Sequence, residues 1–182
     1  AVLLGYWGLF TWLPTFLAAP QSAGGAGLGV AAGSRWMLSV QAGALGGYLS
    51  FGWLADRFGR RPVFAAYVVA AAALTLIYGH STGSPGVLMA ISPLLGFAGS
   101  GYFSVFGAML AELFPTGVRG IGLGFSYNFG RAVCALAPWG VGYVADRAGY
   151  GTGLALNAGF FCLAAVLMFT LPETRQQNLE NS

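Results

Sequence analysis

A chain of 182 residues with 7% charged and 57% apolar side chains cannot clothe a soluble surface, where about a quarter of residues are charged. Eight basic residues, all Arg, against five acidic ones give a net charge of +3, and no basic patch is interleaved with polar residues as nucleic-acid binding requires. The composition excludes a soluble domain and a nucleic-acid partner and points to an integral membrane protein with lipid around it.

A spanning helix needs about 20 mostly apolar residues, and six segments qualify. The first covers about 2–19. The chain begins inside it, with no Met and no charged leader, and is therefore expected to be a piece of a longer protein. A Gly/Ala/Ser loop over 20–33 precedes the second segment, 34–55. The third, 62–79, opens on Pro62, a favoured first-turn residue. The fourth covers 85–111, and the fifth runs over 119–145, after a loop at 112–118. The sixth covers 153–171, and Pro172 then opens a polar tail. The expected architecture is an all-α six-helix bundle over 1–171 with a tail over 172–182. Thirty glycines scattered through these runs suit helices packed closely in lipid, and Gly43/Gly47 and Gly120/Gly124 have the small-xxx-small spacing of helix contacts. Cys134 and Cys162 read as small buried hydrophobes and His80 as a solvated loop residue, so no metal site and no cofactor is expected.

Arginine placement orients the helices. One side receives Arg57, Arg60, Arg61, Arg119 and Arg175; the other receives Arg35 and Arg147. The five-Arg side is expected to be cytoplasmic, together with both ends of the chain.

One motif occurs twice. Gly52-Trp-Leu-Ala-Asp-Arg-Phe-Gly59 returns as Gly142-Tyr-Val-Ala-Asp-Arg-Ala-Gly149, three segments later. Three is odd, so the copies are expected to face opposite sides, as in a 3+3 inverted repeat. The first copy continues into Arg60 and Arg61. Asp56 falls at the C-terminal end of its helix, where the macrodipole disfavours an anion. It therefore calls for a cation among Arg57, Arg60 and Arg61, or for the helix start at Arg119. Gly52 and Gly59 permit close approach and a tight turn. Such a cluster, with Glu112 across the loop, can form a latch that closes in one conformation; the alternative is a loop that only sets topology.

Arg131 stands twelve residues after Arg119, about 18 Å along a helix and so near the middle of a 30 Å core. An arginine there is expected to face a polar cavity. Tyr127 and Asn128 share its helix face, and Pro138 continues the stripe. A guanidinium can hold a carboxylate bidentately, with Asn128 and Tyr127 orienting the rest; the alternative is a structural arginine satisfied by carbonyls or by a carboxylate elsewhere. Gln41 and Tyr48 on the second segment, Ser100 and Ser104 on the fourth, and Trp7 and Thr11 on the first are further lining candidates. No carboxylate lies deep in a segment. Neither a carboxylate pair, a metal cluster nor a Ser-His pairing supports hydrolysis, so no enzyme is expected.

Gly52–Arg61 matches the G-x-L-A-D-R-x-G-R-R/K loop signature of the major facilitator superfamily. Glu112-Leu-Phe-Pro-Thr-Gly-Val-Arg119-Gly120 resembles that superfamily's loop between its tenth and eleventh helices, and Pro172-Glu-Thr-Arg175 the motif after its twelfth. These cover the chain in order and identify it as similar to the C-terminal half of a twelve-helix protein, with the N-terminal six-helix bundle as its missing partner. Gly5-Tyr-Trp-Gly-Leu-Phe-Thr-Trp-Leu-Pro-Thr-Phe16 and Gly124-Phe-Ser-Tyr-Asn-Phe-Gly-Arg131 resemble the proton-coupled organic-acid symporters of the sialate/lactate and aromatic-acid groups. The paired-Gln motif of sugar porters is absent, and Gln176 replaces a common Gly in the tail. The resemblance implies that the first, second, fourth and fifth helices line a cavity, with the third and sixth outside. It implies a secondary transporter of a small organic anion by alternating access, coupled to protons whose carrier lies in the other half. A porter of sugars or other neutral solutes, and a non-transporting six-helix scaffold or truncated product, are the alternatives.

Overall fold

The computed structural model describes residues 1–112 and 114–170. The expectations for Pro172, Glu173, Arg175, Gln176 and Glu180 lie outside the described residues. Eight α-helices follow in order: α1 Val2–Ala18, α2 Gly29–Phe58, α3 Arg60–His80, α4 Pro85–Ser100, α5 Phe103–Ala111, α6 Arg119–Cys134, α7 Leu136–Ala148 and α8 Tyr150–Met168. A 3-10 turn, Gln21–Ala23, separates α1 from α2.

All six expected segments are helical, and two of them are interrupted. Gly101 and Tyr102 break the fourth into α4 and α5, with an i→i−3 bond from the Ser104 N–H to the Gly101 carbonyl at 3.2 Å. Ala135 breaks the fifth into α6 and α7, one turn before Pro138. Proline has no N–H to offer the carbonyl four residues back, here that of Cys134. Helix α2 begins five residues earlier than expected, at Gly29. Three helical stretches among the described residues are long and apolar enough to cross a membrane on their own: α3, the α4–α5 pair and α8. Helix α1 is apolar but has 17 residues. Helix α2 carries Arg35 and Gln41, and α6–α7 carries Asn128 and Arg131.

The two copies of the repeated motif have the same local structure. Gly59 closes α2 at φ 96°, ψ 149°, and Gly149 closes α7 at φ 86°, ψ 156°. Their N–H groups donate to the carbonyls of Ala55 (3.0 Å) and Ala145 (2.9 Å), and both alanines are buried. Arg57 lies over the ring of Trp53, and Arg147 over that of Tyr143, the same i, i+4 pairing. Each glycine is a one-residue joint into the next helix, in a conformation L-residues adopt at a cost of about 1–3 kcal/mol. Gly59→Ala and Gly149→Ala should therefore each lower thermal stability by a similar amount of that order in detergent. Insensitivity at one joint would break the equivalence.

The copies also lie at opposite ends of the bundle. Helices α3 and α8 run antiparallel. Arg61, at the start of α3, donates to the Phe169 carbonyl past the end of α8, whereas Gly79, near the end of α3, abuts Gly151 at the start of α8. Gly59 therefore belongs to one end and Gly149 to the other, the inversion the odd spacing calls for. Packing follows the same relation: α1 lies against α7 and α8, as α4 lies against α2 and α3.

Backbone proximity holds the bundle together. A Cβ on Gly43 would fall 1.8 Å from the Pro93 carbonyl oxygen, and one on Gly96 1.8 Å from that of Val40, so α2 and α4 touch main chain to main chain. Gly120 and Gly124, with the same sequence spacing, have no neighbour within 4 Å. The contact expected of them is not made among the described residues, because α6 lies on the open side of the bundle with only Cys134 buried. Around the glycine contacts pack Leu9, Leu13, Phe16, Phe51, Leu95 and Phe161, all nearly inaccessible. One buried polar group is paired across three helices. Ser92 Oγ on α4 accepts from Trp36 Nε1 of α2 (2.9 Å), lies 3.0 Å from the Tyr78 hydroxyl of α3, and donates to the Leu88 carbonyl. Such pairing is required where water cannot substitute.

Candidate functional site

Arg131 occupies the last turn of α6 and is exposed on the open side of the bundle. Its guanidinium carbon lies 5.7 Å from the centre of the Trp7 ring on α1, a cation–π distance. Among the described residues it makes no ion pair or hydrogen bond. Trp7, Thr11, Arg131, Cys134, Ala135 and Pro138 line one pocket of about 160 Å³.

Local sequence explains the convergence. Trp7 and Thr11 are four apart and share a face of α1, and Arg131 and Pro138 are seven apart on α6–α7. The break at Ala135 places Cys134 and Ala135 in the wall as well. Trp12 Nε1 donates to the Pro138 carbonyl at 2.8 Å, tying α1 to α7 beside the break and fixing the floor. The pocket thus offers one strong cation with a rigid five-donor fork, an aromatic wall and one hydroxyl, which suits a small planar anion.

The other expected lining residues are placed differently. Asn128, expected to orient a ligand beside Arg131, donates its amide N–H to the Gly124 carbonyl at 2.8 Å, because an amide facing the open side bonds its own helix. Ser104 is likewise turned back, donating to the Gly101 carbonyl at 3.0 Å. Gln41 is exposed on α2 and makes no side-chain hydrogen bond among the described residues. Tyr6 of α1 meets Trp7 edge-on at 5.7 Å and packs on Phe103 of α5 at 4.6 Å, while Tyr48 of α2 is 36% exposed. The sequence reading did not single out Tyr6.

At the Gly59 end, the charged run is held in several ways. Arg60 forms an ion pair with Glu112, joining the start of α3 to the end of α5, with both side chains at most 16% exposed. The Arg57 guanidinium lies over Trp53 and Phe58. Arg61 lies 5.8 Å from the Phe169 ring. Arg119 Nε donates to the Ala111 carbonyl (3.1 Å) and the Phe114 carbonyl (3.4 Å), a cation capping a helix C-terminus. Gly52 approaches the Val105 side chain. Asp56 is exposed and forms no ion pair among the described residues. The pairing expected of it is taken by Glu112, because Asp56 sits on the outer face of α2 while the arginines turn to other partners. Removing one member of a poorly solvated pair costs about 3 kcal/mol. Glu112→Gln should therefore lower the melting temperature markedly, and the swap Arg60→Glu with Glu112→Arg should recover most of it. Equal losses in the single and swapped variants would show that the pair is not what stabilises this end.

Comparison with known proteins agrees with this architecture. The chain is 35% identical over 185 residues to a probable 4-methylmuconolactone transporter of Cupriavidus pinatubonensis, covering 97% of this chain and 40% of that protein. It is 30% identical over 177 residues to a putative metabolite transport protein of Haemophilus influenzae, covering 97% and 42%. To a cis,cis-muconate transport protein of Acinetobacter baylyi it is 26% identical over 179 residues, covering 98% and 42%. The chain spans about two fifths of the length of these curated relatives. A family model described as Major Facilitator Superfamily matches residues 1–182. With its all-helical bundle, membrane-length apolar helices and repeated Gly-Asp-Arg-Gly joints, the chain is a multi-pass membrane protein and belongs to the major facilitator superfamily.

Proposed function

We propose that this chain is the C-terminal bundle of a secondary transporter that moves a small organic carboxylate across the membrane by alternating access. The observation that carries this reading is Arg131: a guanidinium near the middle of the α6–α7 stretch, over Trp7, in a 160 Å³ pocket and with no carboxylate partner among the described residues. A cation at that depth is costly unless it is paired or faces a watery cavity, and a carboxylate gives it a bidentate partner. The relatives named for muconate and 4-methylmuconolactone transport support an organic-acid cargo.

In this reading, the exposed faces of α2 and α6–α7 meet an N-terminal six-helix bundle, and that bundle supplies the group that carries a coupled proton. The arginine-rich Gly59 end lies in the cytoplasm of the cell membrane, as the positive-inside rule requires. The Arg60–Glu112 pair acts with Gly52, Asp56, Arg57, Gly59, Arg61 and Arg119 as a latch that holds one of the two access states. Asp56, exposed here, is the member left to engage the other bundle.

The test is uptake of labelled benzoate and muconate by proteoliposomes holding the full-length protein, with and without an imposed proton gradient. Accumulation of at least one acid that collapses when the gradient is dissipated is the expected result. Uptake of neutral sugars with no uptake of acids would overturn it.

A further inference from the structure

Helix α8 buries one polar side chain whose acceptor is unused. Asn157 is 0% exposed. Its amide N–H donates to the Leu154 carbonyl of its own helix at 3.0 Å, and its Oδ1 has no hydrogen-bond partner among the described residues. The carbonyl is aimed at α1: a Cβ on Gly8 would fall 2.0 Å from Oδ1 and 3.5 Å from the Ala137 Cβ of α7. One turn earlier on α1, a Cβ on Gly5 would fall 3.1 Å from the Phe161 ring, one turn after Asn157 on α8. Neither Ala137 nor Phe161 has a side-chain donor to offer, and a glycine Cα–H is only a weak one.

The other copy of the repeat has a partner at the equivalent place. Tyr67 stands eight residues after Gly59, as Asn157 stands eight after Gly149. It too meets a glycine of the adjoining helix: a Cβ on Gly101, at the end of α4, would fall 2.6 Å from the Tyr67 ring. The Tyr67 hydroxyl, however, lies 2.9 Å from Ser50 Oγ. The position matching Ser50, nine before the joint glycine, is Gly140, which has no side chain to give. Helix α8 is apolar enough to cross a membrane on its own. An apolar residue at 157 would fill the slot without burying an unpaired acceptor, which is costly. What the amide offers instead is shape: its carbonyl edge is thinner than the branched methyls of Val or Leu, and α1 rests on it at Gly8.

This seat sets the rotation of α1. Successive residues of a helix are about 100° apart, so moving Gly8 off α8 swings Trp7, the residue before it. The Trp7 ring is the wall that lies 5.7 Å from the Arg131 guanidinium, and Thr11 of the same helix lines the same pocket. We infer that Asn157 is a positioning residue: from outside the pocket it seats α1 through Gly8 and so holds Trp7 against Arg131, where the ring can grip the body of a bound acid. The inference rests on the reading of Arg131 as the carboxylate site. It adds that the grip on the rest of the acid is set from α8, a helix with no residue lining that pocket.

The test uses the full-length protein in detergent, titrated calorimetrically with benzoate and with butyrate, which keeps the carboxylate but has no ring. Gly8→Ala and Asn157→Ala should each weaken benzoate about fivefold, the scale of one aromatic contact, and butyrate by less than about twofold. In the double variant the new methyl at position 8 takes the space the amide vacates, and benzoate affinity should return to within about twofold of wild type. Asn157→Ala only removes atoms, so it gives the same reading if Gly8→Ala fails to assemble. Equal losses for the two acids in both single variants would assign the residues a general structural role and overturn the inference. A double variant in which the two losses multiply would overturn it too. If wild type binds benzoate and Asn157→Ala matches it, the inference falls alone; if wild type binds neither acid, the Arg131 site falls with it.

Discussion

Arg131→Gln in the full-length protein should lower carboxylate uptake about 100-fold or more while leaving membrane insertion and thermal stability close to wild type. The two expectations have separate grounds. Loss of a bidentate charge-assisted pair removes about 3 kcal/mol of binding, equivalent to about 100-fold. Stability is spared because Arg131 has no ion pair or hydrogen bond among the described residues; only its contact with Trp7, worth about 0.5–1 kcal/mol at an open site, is lost. Arg131→Lys keeps the charge without the planar fork and should fall between the two. Wild-type uptake in liposomes by the Gln variant would remove Arg131 from the site. A variant that fails to insert would instead make it structural.

The second large effect concerns the fold. Gly96→Ala and Gly43→Ala should each destabilise the protein by more than about 3 kcal/mol, at or beyond the upper end of overpacking costs. In each case the new Cβ would lie 1.8 Å from a backbone carbonyl oxygen of the facing helix. No side chain can rotate away, so α2 and α4 must separate, and Ser92 would lose its bond from Trp36. Gly159→Ala on α8 is the matched control: nothing lies within 4 Å of its Cβ, and alanine gains up to about 1 kcal/mol of helix propensity. Thermal unfolding in detergent, followed by the monodisperse fraction, separates the three variants. Equal stability of Gly96→Ala and Gly159→Ala would contradict the close α2–α4 contact.

The features legible in the sequence are those set by local spacing. The six helical segments follow from apolar run length. The repeat follows from Gly, Ala, Asp, Arg and Gly recurring at fixed positions, and its local geometry at Gly59 and Gly149 is the same. Spacing puts Trp7 with Thr11 on one helix face and Arg131 with Pro138 on another, but that the two pairs line one pocket follows from the packing of α1 against α6–α7.

What stayed illegible depends on which faces of different helices meet. Gly43 and Gly120 look alike in sequence, yet one touches Pro93 and the other touches nothing among the described residues. Asp56 looked like the partner of the arginines, but Arg60 pairs with Glu112, 52 positions away. Asn128 and Ser104 each direct one N–H or O–H to a carbonyl of their own chain segment, a local choice that spacing does not reveal. Cys134 and Ala135 enter the pocket because the helix breaks there.

The most direct test of the central claim is a paired titration of the full-length protein with benzoate and benzamide, which share a ring and differ in the charge of one group. If Arg131 binds the carboxylate, wild type should prefer benzoate about 100-fold, and Arg131→Gln should reduce that preference to near unity by weakening benzoate alone. A preference for benzoate that persists undiminished in Arg131→Gln would contradict the account.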